Sequence, residues 1–179
     1  MRIKSENSVA VCVDLQEKLF AVVHDNMELE GRLVTILTGL SELNVPVITT
    51  EQYPKGLGHT IDPLKVIMDG ALIEKSTFSC VDDEVFESKL NSLQRKTVIV
   101  FGIEAHVCVL QTTVDLLEKG YEVFVVVDCI SSRNVTDKDI ALRRLEKEGA
   151  YLTTVETLLF ELCQDSKSPS FKVISSLVK

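Results

Sequence analysis

Histidine occurs only three times in 179 residues, at positions 24, 59 and 106. So few imidazoles argue against a zinc site built on two or more of them. The five cysteines, Cys12, Cys80, Cys108, Cys129 and Cys163, are odd in number and form no C-x-x-C pair. Neither a disulfide framework nor a structural zinc site is expected. No apolar run is long enough to span a bilayer, and the opening Met-Arg-Ile-Lys-Ser-Glu lacks the apolar core of a signal peptide. A cytoplasmic protein is expected. Basic residues are outnumbered, 19 Lys and Arg against 27 Asp and Glu, for a net charge of −8. That balance argues against nucleic acid or an anionic membrane as a partner and is silent about small molecules. Internal repeats, low-complexity tracts and linkers are missing too.

What is present fits one domain over residues 1–179 with an ordinary apolar core. Apolar strands alternate with amphipathic helices. Val9–Val13 reads as a buried strand ending at Asp14, and Gln16–His24 as a short helix or turn. Leu29, Leu33, Ile36, Leu37, Leu40 and Leu43 recur at helical spacing, which predicts a helix over Glu28–Leu43. Val45–Thr50 is a second strand. Glu51–Asp62, with two Gly and one Pro, is a loop at its carboxyl end. Ala71–Lys75 is a short strand, and the Ser79-x-x-Asp82 capping box predicts a helix over Val81–Leu93. Thr97–Phe101 is a β-branched strand that Gly102 breaks, and a helix runs from about Val107 to Gly120. Tyr121–Val127 is a strand ending at Asp128. Thr136-x-x-Asp139 caps a helix closing at Gly149. Ala150–Thr153 is a short strand, a helix follows through Leu162, and Phe171–Val178 forms a last apolar turn. The alternation is that of an α/β protein with a parallel sheet covered on both faces.

Three predicted strands end on, or lead into, a polar residue of a particular kind. Asp14 follows the first, Lys75 closes the third, and Cys108 stands where the fourth turns into a helix. In a parallel sheet these ends share one edge, the edge where ligands bind. A helix N-terminus favours a thiolate, a carboxylate within reach takes a thiol proton, and an ammonium stabilises the anion left behind. Backbone N–H groups at the start of the Cys108 helix would serve an oxyanion. The plainer alternatives are a buried structural Cys108, Asp14 as a helix cap and Lys75 as a solvated surface lysine.

The same segments resemble a family. Val11-Cys-Val-Asp14-Leu-Gln16, Glu74-Lys75-Ser76-x-Phe78, Gly102-Ile-Glu-Ala-His-Val-Cys108-Val-x-x-Thr112 and Tyr121 to Arg133 resemble, in order, the motifs of the isochorismatase-like cysteine hydrolases, a group that includes nicotinamidases. The resemblance implies a three-layer α/β sandwich whose six-stranded, mainly parallel sheet has order 3-2-1-4-5-6. It implies Cys108 as nucleophile, Asp14 as general base and Lys75 as charge stabiliser. It places a cis, non-proline peptide at Ile103–Glu104 and an oxyanion hole at the N–H groups of Glu104 and Cys108. A homo-oligomer is implied as well. The chain departs from metal-binding nicotinamidases: where they carry Asp-x-His it reads Glu51-Gln52-Tyr53. A metal-independent, cofactor-free hydrolase of a small amide or related C–N bond is therefore expected. The alternatives are a catalytically silent small-molecule-binding or scaffold protein on the same fold, or a thiol redox sensor. The sensor is disfavoured by the lack of a resolving cysteine near Cys108 in sequence.

Other residues are candidates for the pocket. Glu51 and Gln52 could contact substrate, and Phe20, Tyr53 and Phe78 could wall the pocket or pack in the core. His106 lies two before Cys108, a spacing at which helical side chains do not face each other. Asp128 is expected to hold a neighbouring loop by hydrogen bonds. Cys80, near the Lys75 segment, is the thiol to watch for oxidation.

Overall fold

Ser8–Val13 and Thr97–Ile103 are buried at every position, as strands covered on both faces must be. They are the two central strands of the computed structural model, which describes residues 2–68 and 72–179. In chain order the elements are β1 (Ser8–Val13), the short turn α1 (Glu17–Phe20), α2 (Asn26–Glu42), β2 (Val47–Gln52), the short turns α3 (Pro54–Leu57) and α4 (Asp62–Lys65), β3 (Leu72–Lys75), α5 (Glu84–Ser92), β4 (Thr97–Ile103), α6 (Leu110–Glu118), β5 (Glu122–Ser131), α7 (Val135–Glu148), β6 (Tyr151–Thr153), α8 (Val155–Cys163) and α9 (Phe171–Leu177). The six strands are all parallel in the order β3-β2-β1-β4-β5-β6. Helices α2, α8 and α9 pack together on one face, and α5, α6 and α7 on the other. The α/β three-layer class and the strand order agree with expectation.

The apolar stripe of α2 explains its place. Leu29, Leu33, Ile36, Leu37 and Leu40 are buried, and Gly39 among them leaves room for Leu159 of α8. A β-carbon at Gly39 would lie 2.5 Å from Leu159 Cδ2. Among the described residues no helix is long and apolar enough to cross a membrane.

Several boundaries differ from the sequence reading, each for a local reason. Gly102 does not end β4. The strand runs on to Ile103, and its register with β5 shifts between Val100 and Gly102. Ser79 caps only a single turn, Cys80–Asp82; the longer helix starts at Glu84 because the Asp83 carboxylate accepts from both Val85 and Phe86 N–H at 3.0 Å. Glu51 and Gln52 belong to β2 rather than to the loop, and β5 continues past Asp128 to Ser131. Asp128 accepts from Val155 N–H at 2.9 Å and so holds the start of α8. Ala71, the first residue of the expected third strand, lies outside the described residues, and β3 is described from Leu72.

The strand order reverses between β1 and β4, which creates a crevice at their carboxyl ends. Gly102 lets the two strands close there. Its φ is +123°, and a β-carbon would fall 2.2 Å from Val13 O, a backbone atom that cannot step aside. Gly102→Ala should therefore cost at least about 2 kcal/mol, combining left-handed strain with a backbone clash. A denaturant midpoint equal to that of the wild type would refute this account of the glycine.

Candidate active site

Asp14 leaves β1 with a left-handed φ of 50° and is fully buried. Its carboxylate meets side chains of β2 and β3. Thr50 Oγ1 donates to Oδ1 at 2.8 Å, and Lys75 Nζ donates to Oδ2 at 2.7 Å. Lys75 stands on β3, two strands away, a gap of roughly 10 Å at ordinary strand spacing. Only a side chain as long as lysine crosses it. Gln52, paired with Lys75 in the β2–β3 ladder, meets the ammonium on the way with Oε1 at 2.8 Å. The carbonyls of Thr77 and Phe78 accept from the same Nζ at 3.1 and 3.3 Å. Burial works against the charge on Lys75, but the nearby Asp14 carboxylate outweighs it and the pKa is raised. The group is an ammonium at neutral pH.

Cys108 lies inside a wide helical turn, Ala105–Val109, that leads into α6, and is only 5% exposed. Burial pushes its thiol well up. The charge of Asp14 and a hydrogen bond to that carboxylate push the same way, and Lys75 opposes them. The resting group is therefore a protonated thiol, not the thiolate expected from a helix N-terminus. The reason is position: the residue sits within the turn and out of water, not at an open helix end.

The other candidates fall into three groups. Gln52 belongs to the cluster, as the acceptor for Lys75 and a donor to Ser76 O at 2.7 Å. Glu51 is buried but faces the loop. Its Oε1 accepts from Thr60 N at 2.6 Å and Thr60 Oγ1 at 2.8 Å, and His59 Nδ1 lies 3.0 Å from Oε2. Burial works against this charge, yet those bonds hold its pKa below the usual carboxylate range. Phe20 is buried in the core, whereas Tyr53 and Phe78 are 60% and 55% exposed on the segments that follow β2 and β3. Glu104 follows the cis Ile103–Glu104 peptide, and its Oε2 accepts from Arg133 N and Nε at 3.0 and 3.1 Å. His106 turns away from Cys108: Nδ1 is 2.9 Å from Ser132 Oγ.

Three residues of the cluster carry no signal in local spacing. Thr50 lies inside β2, and Gln16 stands past the end of β1, just before α1. Gln16 pins the β2 terminus, donating to Gln52 O at 3.0 Å and accepting from Gln52 N at 2.6 Å. Cys80, noted in the sequence only for its nearness to the Lys75 segment, lies 3.7 Å from Thr50 Oγ1, so the fold brings a second thiol to the cluster. The signal available was the run Thr49-Thr50-Glu51-Gln52, four polar residues in a strand that had to be buried. Both Glu51 oxygens and the Gln52 amide are engaged within the protein, and among the described residues no three His, Cys, Asp or Glu gather as a metal-binding group.

A family model described as the isochorismatase domain matches residues 8–157, most of the chain and all three residues of the cluster's core. The chain belongs to the isochorismatase family. It is 41% identical to isochorismatase family protein 1A of Dictyostelium discoideum over 95% of this chain and 85% of that protein. Among solved structures, this isochorismatase-family chain superposes on the MAR1 ribonuclease of Caenorhabditis elegans with a TM-score of 0.93 at 41% identity, covering 99% of this chain and 92% of the other. It superposes on YcaC of Pseudomonas aeruginosa, a structure with hexane-2,5-diol and covalent acrylamide, with a TM-score of 0.93 at 26% identity, covering 98% and 91%. Membership of this family supports a hydrolase.

Proposed function

We propose that this family member is a metal-independent cysteine hydrolase of a small amide or related C–N substrate. Cys108 is the nucleophile, Asp14 the base and Lys75 the stabilising charge. The observation that carries this reading is the fully buried contact of Lys75 Nζ with Asp14 Oδ2, 2.7 Å, beside the buried Cys108, whose thiol the same carboxylate pushes up. A buried ion pair is costly to maintain for stability alone. In the first step Sγ attacks the carbonyl carbon while its proton passes to Asp14. Backbone N–H groups of Glu104 and Cys108 donate to the oxyanion. Collapse breaks the C–N bond, and Asp14 returns the proton to the leaving nitrogen. Water then adds to the thioester and gives a proton to Asp14. The C–S bond breaks and the sulfur recovers that proton, so one water is consumed and a carboxylic acid and an amine or ammonia are released.

The net charge of −8 is why the ribonuclease activity named for the worm structure is not carried over. A cytoplasmic homo-oligomer is part of the proposal, with the exposed Tyr53 and Phe78 as surfaces for a second copy to cover. The test is a panel of small primary amides, with acid quenching, intact-mass analysis and ammonia release as readouts. The expected result is an acyl adduct on Cys108 in the wild type, and loss of both adduct and ammonia in Cys108→Ala. Ammonia release by Cys108→Ala at the wild-type rate would sink the mechanism. If no amide of the panel is turned over by a folded protein, the binding or scaffold function takes its place.

A further inference from the structure

We infer that Thr50 is a positioning residue for Asp14. The inference rests on the reading of Asp14 as the proton acceptor of Cys108. Thr50 is fully buried in β2 and holds Asp14 twice. Its carbonyl accepts from Asp14 N–H at 3.2 Å, and its hydroxyl lies 2.8 Å from Oδ1. The same Oγ1 is 3.7 Å from Cys80 Sγ. Distance leaves the direction of that second bond open, and chemistry settles it. A hydroxyl has one proton to give, and a carboxylate paired with an ammonium can only accept. Thr50 therefore donates to Asp14 and has only lone pairs left for Cys80, whose S–H is the donor. Burial keeps that thiol protonated, its pKa pushed up to about 11.

The result is a directed chain, from Cys80 S–H to Thr50 Oγ1 and from Thr50 O–H to Asp14 Oδ1, with Lys75 on Oδ2. Each oxygen of Asp14 has a fixed donor, and together they stop the carboxylate turning away from Cys108. The far end of the chain is tied to the nucleophile. Cys80 N–H donates to Thr112 Oγ1 at 2.9 Å, and Thr112 lies on α6 four residues beyond Cys108, about one helical turn. Neither the proposed chemistry nor the packing of the sheet calls for this arrangement.

The experiment measures carbamidomethylation of Cys108 by iodoacetamide on the full chain, with peptide mapping to separate the five cysteines. Without the Thr50 hydroxyl, Asp14 lacks a donor and draws harder on the Cys108 proton. The rate at about pH 8 should fall roughly tenfold in Thr50→Val, the effect of a one-unit rise in the thiol pKa. Thr50→Ala should fall equally, which keeps the test open if the valine variant does not fold. Thr50→Ser, which restores the hydroxyl, should match the wild type. In an Asp14→Asn background, Thr50→Val should change nothing, because the route runs through the carboxylate. Equal rates in the wild type and Thr50→Val overturn the inference, and so does the same fall in both backgrounds. If Asp14→Asn alone leaves the Cys108 rate unchanged, the assignment of Asp14 falls and takes the inference with it. If Asp14→Asn moves the rate and the Thr50 variants do not, only the role of Thr50 is lost.

Discussion

Asp14→Asn should make Cys108 more reactive toward iodoacetamide and, at the same time, almost inert toward an amide substrate. The two effects have one origin. In the wild type, burial, the Asp14 charge and the Asp14 hydrogen bond all hold the proton on sulfur, and Lys75 pulls the other way. Neutralising residue 14 removes both influences of its carboxylate and leaves Lys75 in place, still bonded to Gln52 Oε1 and to two backbone carbonyls. The thiol pKa then falls, and alkylation at neutral pH should rise by about tenfold or more. An iodide leaving group needs no proton. An amine does, and without Asp14 nothing carries the sulfur proton to the nitrogen. Loss of a positioned acid–base group of this kind costs about 10²–10⁴-fold in turnover. Alkylation kinetics beside ammonia release on the same preparation would separate the two. Slower alkylation in Asp14→Asn would mean that the carboxylate activates the resting thiol instead of restraining it.

Lys75→Met should be the most destabilising single change in the cluster. It leaves Asp14 buried with no counter-charge, although the hydrogen bond from Thr50 remains. Breaking one side of a buried pair costs about 3–5 kcal/mol. For a chain of this size that is roughly 6–20 °C in Tm, at about 2–4 °C per kcal/mol. The diagnostic is the double variant. Asp14→Asn with Lys75→Met removes both charges and should recover part of the loss, whereas a purely steric role for the lysine stem predicts no recovery. The sign of the pH dependence follows from the raised pKa of Lys75. Its stabilisation is present at neutral pH and up to the ordinary lysine value of about 10.4, and it is lost as pH climbs through the higher folded value. The stability gap between the wild type and Lys75→Met should hold steady around neutrality and narrow only in strong alkali. Calorimetry across that range checks it.

The fold was readable from the sequence because its strands are unbroken apolar runs and its helices keep a clean stripe, as in Val9–Val13 and Leu29–Leu40. Asp14, Lys75 and Cys108 stood out for the same reason: each is a polar side chain at the point where such a run ends. What the sequence hid depends on adjacency across the sheet. Thr50 looks like any strand threonine until β2 is laid beside β1. Cys80 is 28 residues from Cys108 in the chain and is linked toward it, through Thr50 and Asp14, only by the crossover. Gly102 read as a strand breaker because the local pattern cannot say that Val13 will press against it. The raised thiol of Cys108 is not visible in the sequence either, because a helix-start rule assumes an open end and burial of the turn works the other way.

Lys75 also alters what it means for β3 to be an outermost strand. Such strands ordinarily open first, since only one side is held by a ladder and water waits at the other. Here a rim residue reaches beneath its neighbour and supplies half of a charge pair at the centre of the molecule. The rim therefore cannot peel away without stranding Asp14, and Asp14 cannot keep its partner unless the rim is seated. Fraying at the periphery and loss of chemistry at the centre become a single event, so the chain has no state in which its edge is loose and its site intact.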